Sequence, residues 1–432
     1  MVGVVGSSPI APTNFNSSPR IHRMPNSSSA QSDQGADDRP LAGIRVLDFS
    51  RLLPGPFCSQ MLADLGAEVI RIDDATRSDG GDLMRKEADV EGFGGGEFFH
   101  VVNRGKKSLA MNLRDARAVE IVKRLVGDAD LVLEGFRPSV MDRLGVGYAA
   151  LSAVRPSIVY CAISGYGQTG SYAAKAGHDL NYQALSGSLH HNAGFNAKPP
   201  ISGLQVADLA GGAMTAVTAM LAALLKAKAT GRGQFLDVSM TDGVMALNVY
   251  LLGQLSLARQ EPVPGAGLIT GGAACYQVYG TGDGRWLAVG ALEQKFWARF
   301  CEVIGRPDLT DRGHVLGEEG AAVIASVAQV IAQRTLDQWA AVFALEDCCV
   351  TPVLTLAEAI AQGPAADRGF IHHTQGHQPR FSFPVQMSAG GAARDAALAD
   401  APQIGEHSRT ILLSAGIAAS EIDALMQEGV IR

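Results

Sequence analysis

The 432-residue sequence contains no CxxC, no HExxH, no GxSxG and no GxxxxGK[ST]. Those absences remove the common zinc spacings, the two-histidine metalloprotease helix, the nucleophile elbow and the P-loop. Nor does GxGxxG follow the first strand-like run; "SRLLPGPF" stands there instead, so the standard dinucleotide fingerprint is missing. Basic residues are not in excess: 36 Lys and Arg face 43 Asp and Glu, for a net charge of −7. That balance favours solubility and gives no nucleic-acid surface, which needs clustered cations. The six cysteines (Cys58, Cys161, Cys275, Cys301, Cys348 and Cys349) have no metal spacing. They read as reduced, mostly buried thiols of a cytoplasmic protein. The small-residue run from Ala210 to Leu225 is short, rich in Ala and Gly and followed by Lys226 and Lys228. It reads as a buried helix, and no membrane span is expected.

What is present is ordinary globular composition, 47% hydrophobic and 18% charged, with 50 glycines. Residues 1–40 differ: Ser, Asn and Pro dominate without periodicity, so this tail is expected to be disordered. It lacks the charged start and apolar run of a secretory signal, although Arg20, Arg23 and its serines leave a transit peptide open. From residue 41, short apolar runs alternate with amphipathic stretches. "GIRVLDFS", "EVIRID", "SLAMNL", "ADLVLEGF", "PSIVYCAISGYG" and "FLDVSM" read as strands. Phe57, Met61 and Leu65 repeat at helical spacing, and a second helix runs from Asp115. The alternation predicts an α/β fold, a parallel sheet covered on both faces, over 41–238. A linker helix is expected over 239–272. Two alternating runs around Gly282-Asp283-Gly284 predict a hairpin that opens a smaller α+β domain, 273–345. Residues 346–432 serve as a second linker and a closing helical stretch. The segment "EGFGGGEFF", 91–99, reads as a flexible loop.

Three positions could carry chemistry. His178 in "GHDLNY" is either a buried, satisfied histidine or a proton-transfer base. Asp208 in "VADLAGGAMTA" is either a helix cap or a base beside uncovered backbone amides, where an oxyanion could sit. Glu293 in "GALEQKFW" is by itself a helix-start glutamate. His190 and His191 are adjacent and read as loop or surface residues.

The motifs "PGPF", "VIRID", "NRGKKSLAMNL", "DLVLEGFRPSVMDRLGVGY", "ISGYGQTG" and "TGRGQFLDVSM" together resemble the class III CoA-transferase superfamily (CaiB/BaiF type). Within it, Gly177, His178, Asp179, Asn181 and Tyr182 match the GHD-x-NY pattern of the α-methylacyl-CoA racemase branch, and "GALE" matches its GAxE element. Ala274 replaces a proline of that branch, and "NRGKKSL" and "GGDLMR" are more typical of transferases. The resemblance implies a Rossmann-like large domain plus a small domain in an interlocked homodimer, with each site between the large domain of one chain and the small domain of the other. It implies an acyl-CoA substrate, coenzyme A being part of that substrate, and no metal or redox cofactor. His178 and Asp208 would flank the α-carbon, Glu293 would hold the His178 ring, and Asp179 would assist. Arg71, Arg104, Arg137 and Arg143 would meet the CoA phosphates, and Gly135 and Phe136 would line the adenine side. In the transferase alternative, Asp208 is a nucleophile that carries CoA as an aspartyl thioester.

Overall fold

The computed structural model describes residues 38–85, 95–194, 197–373, 379–388 and 399–432. Nearly all of the expected disordered tail lies outside the described residues, as do residues 91–94 of the glycine-rich segment. Residues 95–99 correct the loop expectation: they open the helix Gly95–Asn103, which buries Phe99 and Val102.

Six apolar runs form the strands β1 (Arg45–Asp48), β2 (Glu68–Asp74), β3 (Lys107–Met111), β4 (Leu131–Glu134), β5 (Val159–Ser164) and β6 (Gln234–Ser239). All adjacent pairs are parallel, in the order β3-β2-β1-β4-β5-β6. Successive residues point to opposite faces, so Leu47, Ile70, Val132 and Tyr160 join one core while Val46, Val69, Leu131 and Val159 join the other. Helices Ala116–Val126 and Tyr148–Val154 cover the first face; Pro54–Asp64 and Thr215–Thr230 cover the second. Burial is therefore continuous along β4 and β5 rather than alternating.

Local chemistry sets the helix ends. The Asp115 carboxylate accepts the Arg117 N–H at 2.9 Å and so caps Ala116–Val126. Gly231, at φ 69°, closes Thr215–Thr230 in the left-handed conformation that glycine reaches without strain. That helix buries Ala216, Val217, Met220, Ala223 and Leu224, as a core helix does.

The chain's last helices, Ser408–Ser414 and Ala419–Gln427, return to the large domain. The Asn112 N–H donates to the Val430 carbonyl at 2.8 Å and the Arg432 N–H to the Ala110 carbonyl at 3.0 Å. These bonds cover the free edge of β3, which would otherwise template pairing with another chain.

In the small domain, β7 (Tyr276–Gly280) and β8 (Trp286–Gly290) form the expected hairpin. A strand from beyond 345, β9 (Val350–Pro352), completes a three-stranded antiparallel sheet. Trp297, Phe300, Val327, Trp339 and Phe343 fill a separate core against it. The linker is two helices rather than one, Met240–Ala246 and Val249–Ala258, and the second leaves Val249, Leu252 and Leu257 exposed.

Candidate active site

The strand order reverses between β1 and β4. Open parallel sheets bind ligands beyond the carboxyl ends of their strands at this reversal. Ser50 and Arg51 follow β1; Gly135, Phe136 and Arg137 follow β4. The two turns face each other closely: a Cβ on Gly135 would lie 3.7 Å from the Ser50 Cβ. Phe136 packs part of its ring on the core, with the Arg51 guanidinium 6.0 Å from the ring centroid. Arg51, which the sequence reading missed, donates to the Phe49 and Ile72 carbonyls and ties the tips of β1 and β2 together. Arg137 and Arg143 are exposed, and among the described residues neither is held by an ion pair.

Arg71 and Arg104 do not join them. Arg71 is fully buried, and its donors are taken by Asp73 at 2.9 Å, Asn103 at 3.0 Å and Asp82 at 2.7 Å. A phosphate could reach this guanidinium only by displacing two carboxylates. Arg104 is also buried; its Nη2 donates to both oxygens of Asp64, at 2.8 and 2.6 Å. The expectation that these two arginines meet CoA is corrected: they are structural ion pairs. Lys106, two residues after Arg104 in the same motif, is buried with its ammonium on the Pro56 carbonyl, Ser59 and Asn103, and burial pulls its pKa down to about 8.

Beyond the ends of β5 and β6, the GHDLNY turn meets the Asp208 segment. Each element of the motif has a physical task. The His178 N–H donates to Asn181 Oδ1 at 3.0 Å, which starts the helix Asp179–Leu185. The Tyr182 hydroxyl donates to the Gly177 carbonyl at 2.5 Å, and the Tyr166 and Tyr182 rings meet edge-on at 5.1 Å. A Cβ on Gly177 would sit 2.6 Å from the Tyr166 hydroxyl, so the turn accepts only glycine without rearrangement. Asp179 accepts the backbone N–H groups of Ala207 at 2.7 Å and Asp208 at 3.2 Å, and Gln183 holds its other oxygen at 2.6 Å. The His178 side chain is exposed, which removes the buried-histidine reading.

Asp208 lies in a π-helical stretch, Ala207–Met214, that runs into Thr215–Thr230. Such stretches concentrate at functional sites. Asp208 is not the cap of this helix, because Val206 holds that place. Its carboxyl is pushed up to about 7, first by burial and then by the negative charge of Asp179. Tyr182 is pushed up to about 12 by burial and then by Asp208, while the positive field of Arg137 opposes the rise.

The sequence profile of the family described as CoA-transferase family III matches residues 41–408. The chain belongs to CoA-transferase family III. Family relatives of two activities are similar to it. The "Alpha-methylacyl-CoA racemase" of Homo sapiens is 34% identical over 394 residues, covering 90% of this chain and 97% of the relative. The "Succinyl-CoA:glutarate CoA-transferase" of Mus musculus is 30% identical over 393 residues, covering 87% and 86%. The crystal structure of a CaiB/BaiF family protein from Brucella suis matches with a TM-score of 0.75 at 26% identity, covering 88% of this chain and 100% of that one.

One expectation for this family III site is revised by the geometry. Gly211 and Gly212 are buried rather than open to a ligand. A Cβ on Gly211 would lie 2.6 Å from the Met240 carbonyl, and one on Gly212 would lie 2.9 Å from Met240 Cγ. These glycines let the π-helix press against the next helix, and the first amides, of Ala207 and Asp208, already serve Asp179. Glu293 stands exposed at the start of the helix Gln294–Val303 in the small domain, where its charge acts on Cys349. Among the described residues, no hydrogen bond or ion pair joins Glu293 to His178 within one chain.

Proposed function

We propose that this family III protein is a racemase/epimerase that interconverts (R)- and (S)-2-methylacyl-CoA thioesters. The observation that carries the reading is the Asp179 clamp. It holds the start of the Asp208 helix next to the turn that bears the exposed His178. In the reaction, one of the pair removes the α-proton to give a planar enolate, and the other returns a proton to the opposite face. The bond broken is Cα–H and the bond made is Cα–H; no electron leaves the substrate. A base is most effective when its pKa lies near the working pH. Burial puts Asp208 at about 7, near neutral pH, so this carboxyl can both take up and give back a proton without a steep penalty.

Arg137 and Arg143, free of ion pairs among the described residues, are the cations proposed for the CoA phosphates, with Gly135 and Phe136 beside the adenine. Asp179 is a positioning residue. Glu293 reaches His178 in this reading from a second copy, in an interlocked homodimer in the cytoplasm. Coenzyme A arrives as part of the substrate.

The transferase relatives give the competing reading, an Asp208 nucleophile. In that reading the exposed His178 beside Asp208 has no proton to move, whereas the racemase reading uses both groups. Incubating a single enantiomer of a 2-methylacyl-CoA with the protein in D2O, without acceptor acid, separates the two. Deuterium at the α-carbon with loss of optical purity is expected. No exchange, followed by CoA transfer once an acid is added, would overturn the proposal.

A further inference from the structure

A second cluster of unused chemistry lies on the sheet face away from Asp208. Where the helices Val140–Arg143 and Tyr148–Val154 end, β6 is left partly uncovered, and Phe235 and Asp237 project there. A cavity of about 280 Å³ opens beside them, lined by Glu134, Asp142, Tyr148, Tyr160, Gln168 and Phe235 among others. That volume suits a ligand below drug size.

Its carboxyl groups have no cationic partner among the described residues. Glu134 is 5% exposed, and its only hydrogen bond among the described residues is from the Phe136 N–H at 2.6 Å, on one oxygen. The charged groups acting on it are Asp142 and Asp237, both negative, and burial with that repulsion pushes its carboxyl up to about 8. Buried carboxyls are ordinarily paired. The rest of the wall is aromatic: Tyr148 and Phe235 lie 5.6 Å apart, and Tyr160 and Phe235 5.7 Å apart. Aromatic faces beside carboxylates attract organic cations. Among the described residues, no acidic grouping has the arrangement of a metal site.

We propose that this cavity binds an organic cation, an alkylammonium or a guanidinium, carried by a free small molecule of a size to fill it. The charge meets Glu134 and Asp142, and the alkyl stem lies on Tyr148, Tyr160 and Phe235.

The test uses the full chain with n-butylguanidinium as probe, followed by calorimetry and by sedimentation velocity. The probe is expected to bind saturably. Glu134→Gln and Phe235→Ala each weaken it by roughly tenfold, and the neutral isostere n-butylurea gives no signal. If instead the probe drives the assembly towards slower-sedimenting species, and Glu134→Gln does so without the probe, a second copy fills the cavity and the proposal fails. Asp142→Asn, at an exposed position, gives the same weakening of probe binding should Glu134→Gln not fold. Equal probe binding by wild type and both carboxylate variants, or no binding, would also overturn the proposal.

Discussion

The Asp179 carboxylate accepts the backbone N–H of Asp208 at 3.2 Å, while its negative charge raises the Asp208 carboxyl. One side chain thus positions the proposed base and tunes it. The first effect survives an amide in place of the carboxylate, since an amide oxygen also accepts; the second does not.

Asp179→Asn should therefore lower the Asp208 pKa from about 7, leaving it above the ordinary carboxylate range because burial is the larger cause. In the direction that uses Asp208 as base, the acid limb of the pH profile of kcat/KM moves to lower pH. An unmoved limb would show that Asp179 is only a structural clamp.

Asp208 is held in the folded state at a pKa above its unfolded value of about 3.9. Between these values the native state keeps a proton that the unfolded chain has lost, so stability falls as pH rises from about 4 to about 7. Asp208→Asn removes that penalty. Denaturant unfolding should find the variant more stable than wild type at pH 8, on the order of 1–2 kcal/mol after allowance for residual solvent, and little changed at pH 4. Equal stability at both pH values would contradict the burial of this carboxyl.

The arginines divide by role. Arg71→Met leaves buried Asp82 without its cation and Asp73 with Arg85 alone, and should cost about 3–5 kcal/mol in unfolding experiments. Arg137→Ala and Arg143→Ala should leave the melting temperature near wild type and raise KM for acyl-CoA roughly tenfold each. A normal KM in both would remove these two residues from the phosphate site.

Much of this was legible in the sequence. The alternation of apolar runs gave the parallel sheet, and the GHD-x-NY spacing gave a turn whose residues prove to be mutually bonded. Asp208 could be named but not understood, because its partner Asp179 lies 29 residues earlier and only the fold brings them together. Arg71 was misread although the signal was present: in a strand buried on both faces, an arginine two residues from an aspartate shares its face and pairs with it. The π-helix left no mark beyond small residues that a regular helix also accepts. Glu134 was overlooked as the polar end of an apolar strand; its lack of a counter-charge exists only in three dimensions.

The central claim is that two bases work on opposite faces of one carbon. The most direct measurement is α-proton exchange into D2O from each pure enantiomer of a 2-methylacyl-CoA, using His178→Ala and Asp208→Asn side by side. The account predicts opposite selectivity: each variant loses exchange by about 10²-fold or more from one enantiomer and retains measurable exchange from the other. Equal losses from both enantiomers in both variants, or wild-type exchange in either, would contradict it.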